Sequence, residues 1–152
     1  MGNTKSIGVA YSDQDIDGGT IGATIPSTVV GTTVYATSEI GYTAAGQGAV
    51  TQLTSKATGV TLNKSAGRIT MSNAALAGST AVSFILTNST ISINDTIIVC
   101  VSSNTTGSAA GAYTTYVSYL AAGSALITLR NLSATSYSEA VIINFSIIHG
   151  AS

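Results

Sequence analysis

The sequence predicts an all-β protein: a β-sandwich of jelly-roll or immunoglobulin-like type, preceded by an extended N-terminal arm. Three observations carry that expectation. Apolar and polar residues alternate with a period of two along several segments after residue 48. These segments recur at roughly ten-residue spacing and are separated by Gly, Asn and Ser. A helical pattern finds support in only one short stretch.

Taken in order, residues 1–47 form the arm. They contain the only proline, Pro26, many glycines and the acidic run Asp13, Asp15 and Asp17, with few strong apolar alternations. A short strand is predicted near residues 29–37. The sandwich domain spans residues 48–152. Weak strands fit residues 58–62 and 68–71, joined by Asn63-Lys64-Ser65-Ala66-Gly67. Residues 72–77 predict one helical turn, because Ser72 and Asn73 can cap and Ala74, Ala75 and Leu76 favour helix.

The strong strands follow. Residues 80–88 place Val82, Phe84 and Leu86 on one face, and residues 95–102 do the same with Ile97, Val99 and Val101. Three more strands are predicted at 112–120, 125–132 and 140–148. Ala121-Ala122-Gly123-Ser124 is short enough for a hairpin, whereas 131–138 is a longer polar connection. In the last strand Val141, Ile143, Phe145 and Ile147 form the expected core row, which leaves Ile142 and Ile148 on the opposite face. Apolar residues on both faces predict that the second face is covered too, by the arm or by another subunit.

Composition argues against catalysis. Only 7% of the 152 residues are charged, with one His, one Cys and no Trp, so few titratable groups can converge on a site. Much of the polar surface is Ser and Thr, suited to neutral, permanent contacts. A net charge of −1 without a basic stripe gives no field to attract nucleic acid. No apolar run reaches membrane-span length, and the N-terminus lacks a signal-peptide core, so synthesis in a cytoplasm is expected. Cys100, within an apolar strand, is expected to be a buried, inert thiol.

Asp13-x-Asp15-x-Asp17-Gly18 has the start of a calcium loop, but the twelfth position is Thr24, where a bidentate Glu is expected, and no helices flank it. His149, beside Gly150 near the end of the chain, has no Gly-x-Ser-x-Gly elbow and no nearby acid, and reads as a tail residue. Asp95 reads as a turn residue, and Glu139 starts a strand. No catalytic residue, metal or cofactor is therefore expected. Lys56, Lys64 and Arg68 form the only local excess of positive charge and could dock an acidic partner surface. Tyr11, Tyr35 and Tyr42 offer amphipathic contact residues in the arm, and Tyr113, Tyr116 and Tyr119 lie within one strand. With Ile142 and Ile148, the arm tyrosines and the three cations are the candidate partner-binding residues.

The stretches TSKATGVTLNKSAGRITM (54–71), ALAGSTAVSFILTNSTI (75–91) and GAYTTYVSYLAAGSALITLRNLSATSYSEAVIINFSII (111–148) resemble a β-sandwich domain that recurs in virion proteins of tailed bacteriophages. The likeness covers residues 48–148 and leaves out the arm. It implies a structural part of the particle, made in the host cytoplasm, and brings no catalytic residues. The first expectation is a capsid decoration or cement protein, bound to the major capsid protein on the outer head shell, with a homotrimer suited to its three-fold positions. The alternative is a tail or fibre appendage that binds host-surface glycan through the strand tyrosines.

Overall fold

The computed structural model describes residues 33–103 and 111–150. Tyr11, the acidic run at 13–17 and residues 29–32 of the expected arm strand lie outside the described residues. The chain divides into two compact units, Met1–Glu39 and Ile40–Ser152. In the first, residues 33–39 are exposed and form no strand, so the described part of the expected 29–37 strand is irregular backbone. The second unit is all-β, two four-stranded sheets arranged as a sandwich.

A single 3-10 turn, Ala44–Gly46, leads into β1 (Gln47–Thr51). There follow β2 (Val60–Thr61), β3 (Ala66–Thr70), β4 (Ala81–Thr87), β5 (Thr96–Ser103), β6 (Tyr113–Ala121), β7 (Ser124–Asn131) and β8 (Ile142–Ile148). The first sheet has the order β1-β3-β8-β5 and the second β2-β4-β7-β6. Every connection crosses between sheets except the β6–β7 hairpin, whose turn uses Gly123 at φ 77°. Because the first four strands alternate between sheets, β1 lies parallel to β3 and β2 parallel to β4, and the chain winds around the core. The remaining pairs are antiparallel. Those two parallel pairs distinguish the order from an entirely antiparallel sandwich.

Alternation decides the core. Phe84 and Leu86 of β4, Ile127 and Leu129 of β7, Ile69 of β3 and Ile143, Phe145 and Ile147 of β8 interdigitate between the sheets, none more than 4% exposed. Each such side chain contributes about 1.5–3 kcal/mol of burial free energy. Two fully buried asparagines organise the loops above this core. Asn88 donates to Lys64 O (2.7 Å) and accepts from Thr90 N–H (3.0 Å). Asn131 donates to Leu76 O (3.1 Å) and Thr135 O (2.8 Å) and accepts from Ser133 N–H (3.0 Å).

The helical turn expected at 72–77 does not form. Ser72 Oγ does accept from Ala74 N–H (3.2 Å), but the Ser72 carbonyl, which would accept the first helical bond, is taken by Lys56 Nζ (2.5 Å), and Ser72 N–H donates to Gln52 Oε1 (3.2 Å). Leu76, buried at 6% exposure, pairs as an isolated antiparallel bridge with Tyr137. Glu139 does not start the last strand, which begins at Ile142.

Candidate functional site

The outer side of the first sheet is nearly uncharged. Its four strands contain a single charged residue, Arg68. Exposed along it are Ala49, Asn144, Cys100, Ile98 (54%) and Ile148 (58%). Cys100 is thus exposed rather than buried. The reason is parity: Ile97, Val99 and Val101 face inward, so the residue between the latter two must face out. Ile142 departs the other way. It shares the outer parity of β8 yet is only 6% exposed, where β8 pairs with Thr70 and Ser103.

Against this face lies an apolar groove of about 550 Å³, lined by Ile40, Tyr42, Ile98, Ile148 and His149 among others. Tyr42 is half-buried, and its hydroxyl donates to Ile147 O. Its own carbonyl accepts from Gln47 Nε2 (2.7 Å), which ties the segment before the 3-10 turn to β1. Tyr35, by contrast, is 89% exposed in the other unit.

Beside the groove, β5 is the edge of the sheet among the described residues. Ile147 N–H donates to Ser65 O (2.8 Å), so the odd-numbered residues of β8 bond toward β3 and the even-numbered ones toward β5. On β5, Thr96, Ile98 and Cys100 therefore face β8, and the backbone groups of Ile97, Val99 and Val101 point outward. The strand TIIVCVSS carries no Lys or Pro to blunt that edge.

The three cations separate. Arg68 is exposed on β3 beside Asn144, its partner in register. Lys64 reaches across its loop, its Nζ donating to Ala45 O (2.8 Å). Lys56 is only 3% exposed, and its Nζ donates to Ser72 O (2.5 Å) and Glu139 O (2.6 Å). Burial lowers its pKa, while the Glu139 carboxylate pulls the other way. Gln52 completes this interior cluster, donating to Thr58 O (2.7 Å). The Tyr113 hydroxyl, raised in pKa by burial first and then by Glu139, adjoins it. Lys56 is thus an internal strut and not part of a surface patch.

The strand tyrosines also separate. Tyr113 is buried against Tyr137, ring centroids 6.3 Å apart. Tyr116 and Tyr119 are 47% and 66% exposed on the outer side of the second sheet. A strict period of two would put them on opposite faces. A bulge between Val117 and Tyr119 shifts the register, so that Tyr119 lies opposite Leu126 on the same side as Tyr116. Between them runs a hydroxyl ladder, Ser83 to Thr128 (2.8 Å) and Thr128 to Ser118 (2.9 Å).

A second cluster was not legible in the sequence. His149, expected to be a tail residue, lies between Ser65 Oγ, 3.1 Å from its Nε2, and Asp95 Oδ2, 3.2 Å from its Nδ1. Asp95 also accepts from Ser92 N–H (2.8 Å), Ser92 Oγ (2.9 Å) and Gly150 N–H (3.0 Å). The Ser92 N–H, more than the other donors, holds its pKa at about 2 against the opposing effect of burial. The fold makes this possible at Gly150, where a Cβ would stand 2.2 Å from Asn94 O. The separations in sequence, 30 and 54 residues, follow no local motif, so no spacing could have announced the cluster.

Among the described residues no group of three His, Cys, Asp or Glu could hold a metal ion. No described helix is long and apolar enough to cross a membrane. No protein-family model, no curated protein and no solved structure matches the chain.

Proposed function

We propose that this chain is a structural protein of a tailed-phage virion, a decoration or cement protein that docks on the outer head shell and bridges major capsid protein subunits. The observation that carries the reading is the nearly uncharged outer face of the first sheet, with Ile98, Ile148 and Cys100 exposed and β5, the edge strand among the described residues, beside it. Such a face is suited to permanent neutral contacts with a shell or with another copy, including a homotrimer. Binding only to assembled shell shifts the equilibrium away from disassembly, and repeated contacts add avidity. The likeness to virion sandwich domains points the same way.

The test is the copy number in purified virions, measured by mass spectrometry against the major capsid protein. A number comparable to the capsid protein is the expected result. A few copies per particle would replace the reading with a tail appendage, and absence from the particle would overturn it. Maleimide labelling of Cys100, expected to fall when the protein is bound to shells, maps the docked face.

A second reading has its own observation. The bulge in β6 places Tyr116 and Tyr119 on one face beside a row of hydroxyls, an arrangement suited to stacking on sugar rings. Glycan binding lost in Tyr116→Ala and Tyr119→Ala would favour an appendage.

A further inference from the structure

The Ser65–His149–Asp95 cluster has three properties that loop hydrogen bonding alone does not require. The order is nucleophile, base and orienter, with His149 Nε2 3.1 Å from Ser65 Oγ and Nδ1 3.2 Å from Asp95 Oδ2. The Asp95 side chain is 1% exposed and fixed by donors from Ser92 and Gly150, whereas the imidazole is 40% exposed. An ionised Asp95 on Nδ1 selects the tautomer with hydrogen there, which leaves Nε2 as the acceptor for the Ser65 hydroxyl. Finally, His149 also lines the apolar groove, with Ile40, Tyr42, Ile98 and Ile148.

We propose that Ser65 is an acyl-accepting nucleophile, activated by His149 and Asp95, for small uncharged esters whose apolar portion lies in that groove. In the acylation step Ser65 Oγ bonds to the ester carbonyl carbon and its proton passes to His149 Nε2. The bond from that carbon to the leaving oxygen then breaks, and the imidazolium returns the proton to the departing alcohol. Water attacks the acyl-serine with His149 again as base, releasing the carboxylic acid and restoring Ser65. The negative charge of Asp95 stabilises the imidazolium and stays unprotonated throughout. This reactivity is independent of the virion reading and could coexist with it.

The full-length protein tests this directly. A fluorophosphonate probe with a short alkyl chain, followed by peptide mass spectrometry, is expected to label Ser65 in preference to the many other serines. Labelling in Asp95→Asn is expected to fall, and in His149→Gly to slow by about 100-fold or more. Added imidazole is expected to restore part of the rate in His149→Gly, which a purely structural clasp would not do. Hydrolysis of p-nitrophenyl acetate and butyrate, lost in Ser65→Ala, reports turnover. Thermal melts of each variant establish that it is folded, and Ser65→Ala removes one hydroxyl with little change to the loop. Labelling of Ser65 no faster than other serines, or unchanged in a folded His149→Gly, would overturn the proposal.

Discussion

Two clusters engage several of the few ionisable groups of this chain, and they do so in opposite ways. Lys56 and Glu139 are sealed inside, 3% and 2% exposed, with the ammonium bonded to backbone carbonyls. Asp95 is as well sheltered, but its partner His149 reaches solvent and a groove. A charged cluster buried on both sides can only hold structure. One buried on a single side leaves an imidazole nitrogen available for chemistry. The difference arises from the elements involved: the first cluster joins the β1–β2 loop to the β7–β8 connection, and the second lies where the chain leaves β8.

Breaking the sealed cluster is expected to have the largest effect. Lys56→Met removes the donor to Ser72 O and Glu139 O together with the positive charge near the Glu139 carboxylate, and urea unfolding is expected to show a loss of about 3 kcal/mol. Lys56→Met combined with Glu139→Leu should recover part of it, because the buried negative charge is then removed as well. If the single and double variants are equally unstable, the cluster acts through packing and not through charge.

Asp95→Asn should cost less than Lys56→Met, since its partner His149 can be hydrated once the carboxylate is gone. It should lower the melting temperature while also affecting Ser65 labelling, which Lys56→Met in its folded fraction should not. The pH dependence has a definite sign. The folded-state pKa of Asp95 is about 2 against an ordinary 3.8, so its stabilisation is present above about pH 4 and is lost as pH falls toward 2. Acid unfolding of the wild type between these limits should be blunted in Asp95→Asn.

Gly150→Ala sharpens the comparison from the other side. A Cβ there would meet Asn94 O at 2.2 Å, so the segment after β8 must shift, taking the Gly150 N–H from Asp95 and His149 from Ser65. The expected stability change is about 1 kcal/mol, with a larger fall in Ser65 labelling. The smallest folding effect belongs to Ile98→Asp with Ile148→Asp on the outer face. Stability should stay within about 0.5 kcal/mol per exposed site, while shell binding or self-association is lost.

How much was legible differs by element. The long strands β4 to β8 were readable because their alternation is strong and burial enforces it: Phe84 and Leu86 cannot face water without losing most of their burial energy. β1 was not, because Gly48 and Ala49 carry little apolar signal and the strand exists through parallel pairing with β3. Ile148 was correctly placed on the outer face, whereas Lys56 looked like a loop cation because nothing local reveals that Ser72 O and Glu139 O converge on it. The Tyr116–Tyr119 face escaped a period-two reading because a single bulged residue reverses parity.

The sequence alone determined the fold class, the inward rows of β4, β5 and β8 and the scarcity of charge. These depend on side-chain period and composition, which are local properties. Only the tertiary structure decided the winding that makes β1–β3 and β2–β4 parallel, the burial of Lys56 and the meeting of Ser65, Asp95 and His149. Those depend on which distant segments share a sheet edge or a loop. Hydrogen bonds and ion pairs between such segments are selected by the packing of the whole core, and no window of neighbouring residues encodes them.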